Sequence, residues 1–282
     1  MKINITAALL LLCGIAGAQI KAKTDTIFFD DFNKPILNRN VWNVEVTGNT
    51  VNNEQQAYVD SASTIYFAKD AIAQGAKNGA LVLKAIAHPG YKSKEGKTYD
   101  FLSGRINTRA KMEFTYGTFS ARMKMAAGAG LWPAFWALGQ GKWPDCGEID
   151  VMETVGDSSW TSNALHGPGY FGNTPIAKRN FFPQGVDVTQ WHVYSATWTA
   201  NAIIFKVDDQ VMYNVTRAMV EKYGRWAYDN PKFLILNFAL GGGYPQGVNK
   251  ITSPYPGLSQ ASVDKIKAGQ ALVYVDWVLV TK

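Results

Sequence analysis

The chain has 282 residues, 47% of them hydrophobic, which is sufficient to bury the core of one domain of ordinary size. Its net charge is +6, but Lys178-Arg179 is the one adjacent pair of basic residues, and nucleic-acid-binding surfaces normally cluster their charge. Composition and charge therefore argue against a nucleic-acid-binding protein. Aromatic residues make up 13% of the chain, so we expect some rings to line a binding surface.

The first 18 residues have the features of an export signal. Met1-Lys2 gives a positively charged start, residues 5–15 are mostly apolar, and Ala16-Gly17-Ala18 suits cleavage by a signal peptidase. The apolar run is shorter than the roughly 20 residues that a membrane-spanning helix needs. We therefore predict a signal peptide over residues 1–18 and one domain over residues 19–282.

The predicted location is outside the cytoplasm, in the periplasm or the medium. A lipid anchor at Cys13 is the less favoured alternative, because Leu12 stands where a lipoprotein signal has a small residue. After cleavage Cys146 is the one remaining cysteine, so no disulfide within the chain is expected and the fold must rest on its core. A monomer is expected, and no other segment is apolar enough to span a membrane.

Alternating apolar and polar residues predict β-strands in the first half of the domain. Residues 105–114 alternate throughout, and the alternation resumes over residues 119–125 after the break at Tyr116-Gly117. Each run has one apolar and one polar face. We expect the two runs to be antiparallel neighbours that bury one face against a second sheet.

Strands also dominate the second half. Three strands separated by turn-forming residues are predicted at 193–198, 203–207 and 211–215. Two almost continuously apolar runs, at 233–240 and 271–280, are typical of strands covered on both faces.

Helical signals are weak and confined to short segments. Residues 216–222 and 261–267 are predicted to form a turn or two of helix, and residues 87–100 and 241–259 are predicted to be irregular. No repeat or linker divides the chain. The fold class indicated is therefore all-β, an antiparallel β-sandwich.

Three carboxylates stand within six residues of an otherwise apolar strand. Glu148 and Asp150 are two residues apart and share a face, whereas a regular strand would put Glu153 on the opposite face. One extra residue at Val151-Met152, a β-bulge, would return Glu153 to the face of the other two. An exposed acidic edge or a calcium site would also use such residues.

Paired carboxyls on one face suit glycoside hydrolysis. A retaining glycosidase needs a nucleophile and a general acid/base roughly 5–5.5 Å apart, and a third acid between them can share a proton with the nucleophile. Trp132, Trp136 and Trp143 precede the acids, and aromatic faces suit the C–H surface of a sugar ring. We expect at least one of these rings in the core, with Trp136 favoured.

Several motifs in this order resemble glycoside hydrolase family 16. They are Trp132-Pro133-Ala134-Phe135-Trp136, then Gly147-Glu148-Ile149-Asp150-Val151-Met152-Glu153, then Leu165-His166-Gly167. The bulged Glu-x-Asp-x-x-Glu form is most similar to the laminarinase-like branch. Weaker similarities to the family extend through most of the chain, at residues 30–32, 52–58, 108–109, 116–117 and 275–278.

The resemblance implies a jelly-roll sandwich whose concave face carries a sugar-binding groove. It gives Glu148 the role of nucleophile, Asp150 an assisting role and Glu153 the role of general acid/base. It also implies a set of groove-facing side chains, namely Asn53, Arg109, Trp132, Trp136, Trp143, His166 and Tyr244. No cofactor is expected for catalysis. The family often binds a structural calcium ion, and the ligands here would be Asp276 with backbone oxygens near Asp31 and Gly79.

The function implied is a retaining endo-β-glucanase acting on β-1,3 or mixed β-1,3/1,4 linkages. Relatives that cut agar or carrageenan, or that transfer glycosyl groups, share the same acids. A non-catalytic glucan-binding lectin would use the same aromatic surface, and the carboxylate trio favours the enzyme.

Two departures from the family pattern bear on linkage preference: Gly243-Tyr244-Pro245 replaces an Asn-Trp-Pro, and residues 248–267 form a longer connection.

Overall fold

The structure, a computed structural model, describes residues 25–69 and 73–282. The predicted signal peptide and Cys13 lie outside the described residues. None of the helices in the described parts of the chain is long and apolar enough to cross a membrane. In chain order, the elements are β1 (Thr26–Asp30), β2 (Asn43–Val44), β3 (Gln56–Tyr58), β4 (Ile65–Ala68), β5 (Ala80–Lys84), β6 (Ile86–Lys92), β7 (Thr98–Ser103), β8 (Arg105–Asn107), β9 (Glu113–Phe114), β10 (Gly117–Met125), β11 (Leu131–Gly139), β12 (Glu148–Glu153), β13 (Trp160–His166), β14 (Ala177–Phe181), β15 (His192–Trp198), β16 (Ala202–Val207), β17 (Gln210–Thr216), α1 (Arg217–Val220), β18 (Lys232–Leu240), α2 (Gly243–Asn249), α3 (Gln260–Lys267) and β19 (Leu272–Thr281).

Two eight-stranded antiparallel sheets form the sandwich. The groove sheet has the order β14-β13-β12-β11-β18-β8-β2, with β9 also paired to β18. The support sheet has the order β17-β16-β15-β10-β19-β5-β4, with β1 also paired to β19. The predicted antiparallel sandwich is confirmed. A small third sheet, β3-β7-β6, contains one parallel pair, β3 with β7.

The core lies between the two large sheets. Phe135 on β11 and Phe119 on β10 are fully buried, and their ring centroids are 6.0 Å apart. Along each strand, core residues alternate with residues on the outer face. On β11, for example, Phe135 and Ala137 point into the core, and the alternate residues Ala134, Trp136 and Leu138 lie on the outer face. This alternation leaves the outer face of the groove sheet free to carry polar and aromatic side chains.

The two alternating runs predicted as neighbours belong to different sheets. β8 and β9 pair with β18 in the groove sheet, while β10 lies in the support sheet. Between β8 and β9 the chain turns, because the backbone N–H groups of Lys111 and Met112 both donate to the carbonyl of Thr108 and Ala110 adopts φ 59°. Tyr116, at φ 62°, and Gly117, at φ 117°, then lead the chain across to the other sheet.

Two other segments differ from prediction. Residues 87–100, predicted as irregular, form most of the hairpin of β6 and β7, whose pairing is interrupted between Ala87 and Tyr91. Residues 241–259 contain α2, for which the sequence has no helical signal. Of the two strands predicted to be covered on both faces, β18 is buried along its length, but β19 buries one face and leaves residues such as Tyr274 and Trp277 half-buried. The predicted helices near 216–222 and 261–267 correspond to α1 and α3.

Truncation of Phe135 tests the continuity of the core. Phe135→Ala removes a fully buried ring between the sheets and should lower the free energy of unfolding by about 3–5 kcal/mol. Urea unfolding followed by fluorescence measures this loss. Phe29, on β1, is 54% exposed, so Phe29→Ala should change stability by less than about 1 kcal/mol. Equal losses in the two variants would contradict this description of the core.

Candidate active site

A β-bulge on β12 brings the three acids to one face. Asp150 pairs with Trp136 of β11, Met152 pairs with Phe135, and Val151 has no partner on that strand. Val151 is therefore the extra residue, at the position that the sequence predicts. Glu148, Asp150 and Glu153 all face the groove.

The groove is a cavity of about 370 Å³ on the outer face of the groove sheet. Side chains from β8, β11, β12 and β18 form its floor, and the segment that precedes β3 forms one wall. The lining residues are Glu45, Thr47, Asn49, Thr50, Val51, Asn52, Glu54, Tyr58, Arg105, Trp132, Ala134, Trp136, Leu138, Trp143, Glu148, Asp150, Glu153, Asn237 and Ala239. A groove that crosses several strands can accept a chain of sugars along its length.

Each outer acid of the trio accepts a hydrogen bond from an indole. Trp143 Nε1 donates to Glu148 Oε2 at 2.9 Å, and Trp132 Nε1 donates to Glu153 Oε1 at 2.8 Å. Trp132, 8% exposed, is the most buried of the three tryptophans, so the expectation that Trp136 would be the buried one is wrong. Trp136 is half-buried and donates to Asn237 Oδ1 at 2.7 Å.

His166 lies directly beside the acids. It pairs with Glu148 across β12 and β13, and its Nε2 is 3.2 Å from Asp150 Oδ2 and 3.8 Å from Glu148 Oε1. It is not among the residues that line the groove, and its ring centroid lies 6.2 Å from that of Trp143. Ligand atoms of His166, Glu148 and Asp150 lie within 4.8 Å of one another, a spacing that could also hold a metal ion.

Burial raises the pKa of all three carboxyls. The pKa of Glu148 rises to about 8, first because the group is buried and second because Asp150 is close. Burial, together with Glu153, raises the pKa of Asp150 well above its usual value. Burial also raises the pKa of Glu153, and the hydrogen bond from Trp132 partly offsets this rise. Because negative charges this close repel one another, ionisation of one acid favours the protonated form of its neighbours.

Neighbouring groups determine which carboxyl favours the ionised form. The Trp143 N–H and His166 both lower the pKa of Glu148, and a hydrogen bond with Glu148 lowers that of Asp150. Glu148 and Asp150 have carboxylate oxygens within 4.8 Å of each other, so the two groups can share one proton and the site does not have to hold three full charges.

A buried lysine fixes the chain just before Glu148. Lys232 is fully buried on β18, and its Nζ donates to the carbonyls of Cys146 at 2.8 Å and Ala227 at 3.1 Å. Burial lowers the pKa of Lys232 to about 7. Cys146 is a free, buried cysteine beside the site, as the sequence indicates. The lysine thereby anchors the turn from which β12 begins.

Two residues predicted to face the groove, Asn53 and Arg109, do not line it. Asn53 is exposed, and its neighbours Asn52 and Glu54 line the groove instead. Arg109 is also exposed and stacks on the ring of Phe233, with 4.6 Å between guanidinium carbon and ring centroid. It lies outside because β8 ends at Asn107 and the chain then turns away.

Tyr244 packs against Trp132 and lies close to Ser162, the cross-strand partner of Glu153. Its ring contacts Trp132 edge-on, with centroids 5.4 Å apart, and its hydroxyl lies 3.2 Å from Ser162 Oγ. Tyr244 therefore contacts a residue that holds Glu153, and it is not among the residues that line the groove.

Arg105 lines the groove, although the sequence pattern did not identify it as a groove residue. Arg105 Nε is 2.9 Å from Glu45 Oε2, and its guanidinium lies 5.1 Å from the Trp136 ring and 5.7 Å from the Tyr58 ring. Arg105 is the first polar residue of the alternating run 105–114, so that alternation already places it opposite the core-facing Ile106. The alternation does not predict where the chain turns between Arg105 and Arg109.

The Asp276 side chain, predicted as a calcium ligand, already accepts a hydrogen bond at each carboxylate oxygen. Asp276 is buried, and its Oδ2 accepts from Arg122 Nη1 at 2.5 Å while its Oδ1 accepts from the Lys77 backbone N–H at 2.9 Å. The Asp31 carboxylate accepts from the side-chain amides of Asn33 and Asn78. Donors thus occupy both Asp276 oxygens, and a guanidinium stands where a cation would be needed.

The raised pKa of Glu148 predicts a pH-dependent cost to stability. Because its folded pKa lies above the usual 4.5, Glu148 stabilises the fold fully at pH below about 4.5 and loses this contribution as pH rises through about 8. Glu148→Gln stays neutral, so the variant should be more stable than the wild type at pH 9, by on the order of 3 kcal/mol. Thermal unfolding between pH 4 and pH 9 measures the difference. Glu221→Gln, at an exposed glutamate, should show no such trend, and a pH-independent difference for Glu148→Gln would refute the assignment.

Comparisons with known proteins agree with the geometry. The model of the family described as "Glycosyl hydrolases family 16" matches residues 42–253. Glucan endo-1,3-beta-glucosidase A1 of Niallia circulans is 30% identical over 273 residues, which cover 87% of this chain and 38% of that protein. The chain thus spans less than half the length of this relative. A beta-1,3-glucan-binding protein of Penaeus monodon is 28% identical over 368 residues, covering all of this chain and 98% of that protein.

A solved structure shows the same architecture. The laminarinase catalytic domain from Thermotoga maritima superposes with a TM-score of 0.76 at 30% identity, over 92% of this chain and 98% of that one. The jelly-roll sandwich, the bulged acid strand and a family match over most of the chain lead to one conclusion. The chain belongs to glycosyl hydrolase family 16.

Proposed function

We propose that this protein is a retaining endo-β-glucanase that hydrolyses β-1,3 and/or mixed β-1,3/1,4-glucan. The observation that carries the proposal is the bulge at Val151, which places Glu148 and Glu153 on one face of β12, each held by an indole N–H. A pair of carboxyls in a groove that crosses the strands suits cleavage within a polysaccharide chain. No metal ion or cofactor is required for this chemistry.

Glu148 acts as the nucleophile in this mechanism. Its ionised carboxylate attacks the anomeric carbon and forms a covalent glycosyl-enzyme, while Glu153 donates a proton to the departing glycosidic oxygen. A water molecule then attacks the anomeric carbon, Glu153 accepts the proton from that water, and Glu148 leaves. Two displacements at the same carbon give net retention of configuration.

The remaining residues of the site orient and tune these two groups. Trp143 and Trp132 hold the carboxylates through their N–H groups, and Asp150 shares a proton with Glu148 between turnovers. Burial raises the pKa of Glu153, which favours the protonated form that the first step needs. Trp136 and Arg105 provide an apolar face and N–H donors on the groove floor, a combination that suits sugar rings and their hydroxyls.

Relatives support the linkage and also favour a second candidate. The Niallia circulans relative is named for endo-1,3-β-glucosidase activity, which supports β-1,3-glucan as the substrate. The Penaeus monodon relative is named as a β-1,3-glucan-binding protein, which favours a non-catalytic glucan-binding lectin. The complete trio at Glu148, Asp150 and Glu153 distinguishes the two, because a lectin gains nothing from burying three carboxylates whose ionisation costs free energy.

The N-terminal sequence supports export, and the contacts of Asp276 bear on the predicted calcium site. The pattern of residues 1–18 supports a protein that acts outside the cytoplasm, where polymeric glucan is found. The contact of the Asp276 carboxylate with Arg122 argues against calcium at that side chain, whereas the backbone oxygens near Asp31 and Gly79 stay predicted ligands. A monomer also stays a prediction.

Hydrolysis of a polysaccharide panel tests the proposal. The wild type should release reducing sugar from laminarin or barley mixed-linkage glucan, with little release from agarose or carrageenan, and NMR of the first product should show the β-anomer. Glu148→Gln should lower kcat by about 1,000-fold or more, because it removes the nucleophile. Glu221→Gln is the matched control and should retain activity. If no polysaccharide of the panel is hydrolysed, and the wild type and Glu148→Gln bind glucan equally well, the result would favour the lectin.

Removal of the Trp132 N–H should change the alkaline limb of the pH profile. The hydrogen bond from Trp132 lowers the pKa of Glu153, so Trp132→Phe should raise that pKa and move the alkaline limb of kcat/KM to higher pH. The loss of orientation should lower kcat/KM at the optimum by about tenfold, equivalent to about 1.4 kcal/mol. Trp191→Phe, in the segment that packs on the support sheet, is the matched control. A limb that moves to lower pH would contradict the role given to Glu153.

A further inference from the structure

An exposed aromatic pair extends the groove beyond Glu148. Trp143 is 42% exposed and lines the groove, and Phe171 is 51% exposed and is not among the lining residues. Their ring centroids are 5.4 Å apart and their planes meet at 78°, so the two rings form a corner. The indole N–H of Trp143 also donates a hydrogen bond to Glu148, so the corner formed by the two rings lies directly beside the catalytic acids.

The loop that carries Phe171 is held firmly. Gly167 and Tyr170 exchange backbone hydrogen bonds of 2.9 and 3.0 Å, and the buried Tyr170 donates its hydroxyl to the Arg225 carbonyl at 3.0 Å. Thr174 Oγ1 donates to the Leu165 carbonyl at 2.9 Å on the other side of Phe171. Phe171 is thus anchored on both sides with its ring in solvent, where an apolar side chain gains nothing for folding.

We propose that Trp143 and Phe171 form an additional sugar subsite at the Glu148 end of the groove, where a further glucosyl residue of the β-glucan chain packs against both rings. The inference rests on the proposed function and extends it to chain length. Perpendicular rings offer one face and one edge, and the C–H surface of a pyranose can pack on such a corner. Occupation of this subsite strengthens the binding of longer chains.

Continuity with the groove favours a sugar over a partner protein at this position. Trp143 contacts the Glu148 carboxylate through its N–H and Phe171 through its ring, so a ligand on the corner lies in line with the groove. Two rings also provide too small an apolar area for stable protein docking, which requires a much larger patch.

A series of β-1,3-gluco-oligosaccharides of increasing length tests the subsite. For Phe171→Ala, the loss in kcat/KM should be smallest for the shortest substrates and should grow with length to about 5–10-fold, mainly through KM. Phe171→Trp should restore the affinity for long chains. Phe29→Ala removes a phenylalanine of similar exposure from the support sheet and should have no length-dependent effect.

Two results would overturn the inference. An equal loss for all lengths would show that Phe171 acts by positioning Trp143 and Glu148, and an unchanged length profile would show that no subsite exists. If the wild type binds the oligosaccharides without cleaving them, the proposed function fails. The subsite is then tested by calorimetry, because the effect of Phe171→Ala on Kd should still grow with the length of the oligosaccharide.

Discussion

A β-strand turns successive side chains to opposite faces, and Glu153 stands five positions after Glu148. In regular geometry one of these carboxyls would point into the apolar core, where its charge would be prohibitively unstable. The bulge at Val151 removes this conflict, because one residue leaves the pairing with β11 and the side chains after it change faces. The core receives Met152 in place of a glutamate, and the groove receives both acids. The rest of the site depends on this one irregularity.

The electrostatics of the site follow from enclosing three acids with few cations. Burial raises the pKa of each group, and the nearby donors are neutral indoles together with His166. Such an arrangement keeps protons available at neutral pH, which suits a site that must donate one and later accept one. It also makes the trio costly to the fold once it ionises, so stability and function oppose each other here.

In the support sheet, an ion pair between Arg122 and Asp276 joins two neighbouring strands. Asp276 sits at a bulge in β19, where an irregular strand leaves a carboxylate buried at 1% exposure. Arg122, from the neighbouring β10, pairs with it at 2.5 Å, and the Lys77 N–H satisfies the second oxygen. A buried carboxylate needs a positive or donating partner, and in this chain an arginine provides it.

The sequence by itself determined the β-sandwich, the bulged acid strand and the identity of the three acids, because these features depend on residues close together in the chain. Alternation over a few residues decides which face is apolar, and Glu148 to Glu153 are within one strand. Only the tertiary structure decided that residues 105–114 and 119–125 belong to different sheets, since turns at Ala110 and Tyr116 redirect the chain between them.

Contacts between distant residues were likewise decided by the fold. Arg105 replaces Arg109 in the groove, Tyr244 packs edge-on against Trp132, and Arg122 neutralises Asp276 across 154 positions of sequence. No local pattern encodes such pairs, because each depends on how strands are ordered in the sheets. Local periodicity specifies the face of a side chain, and the packing of the two sheets specifies its partner.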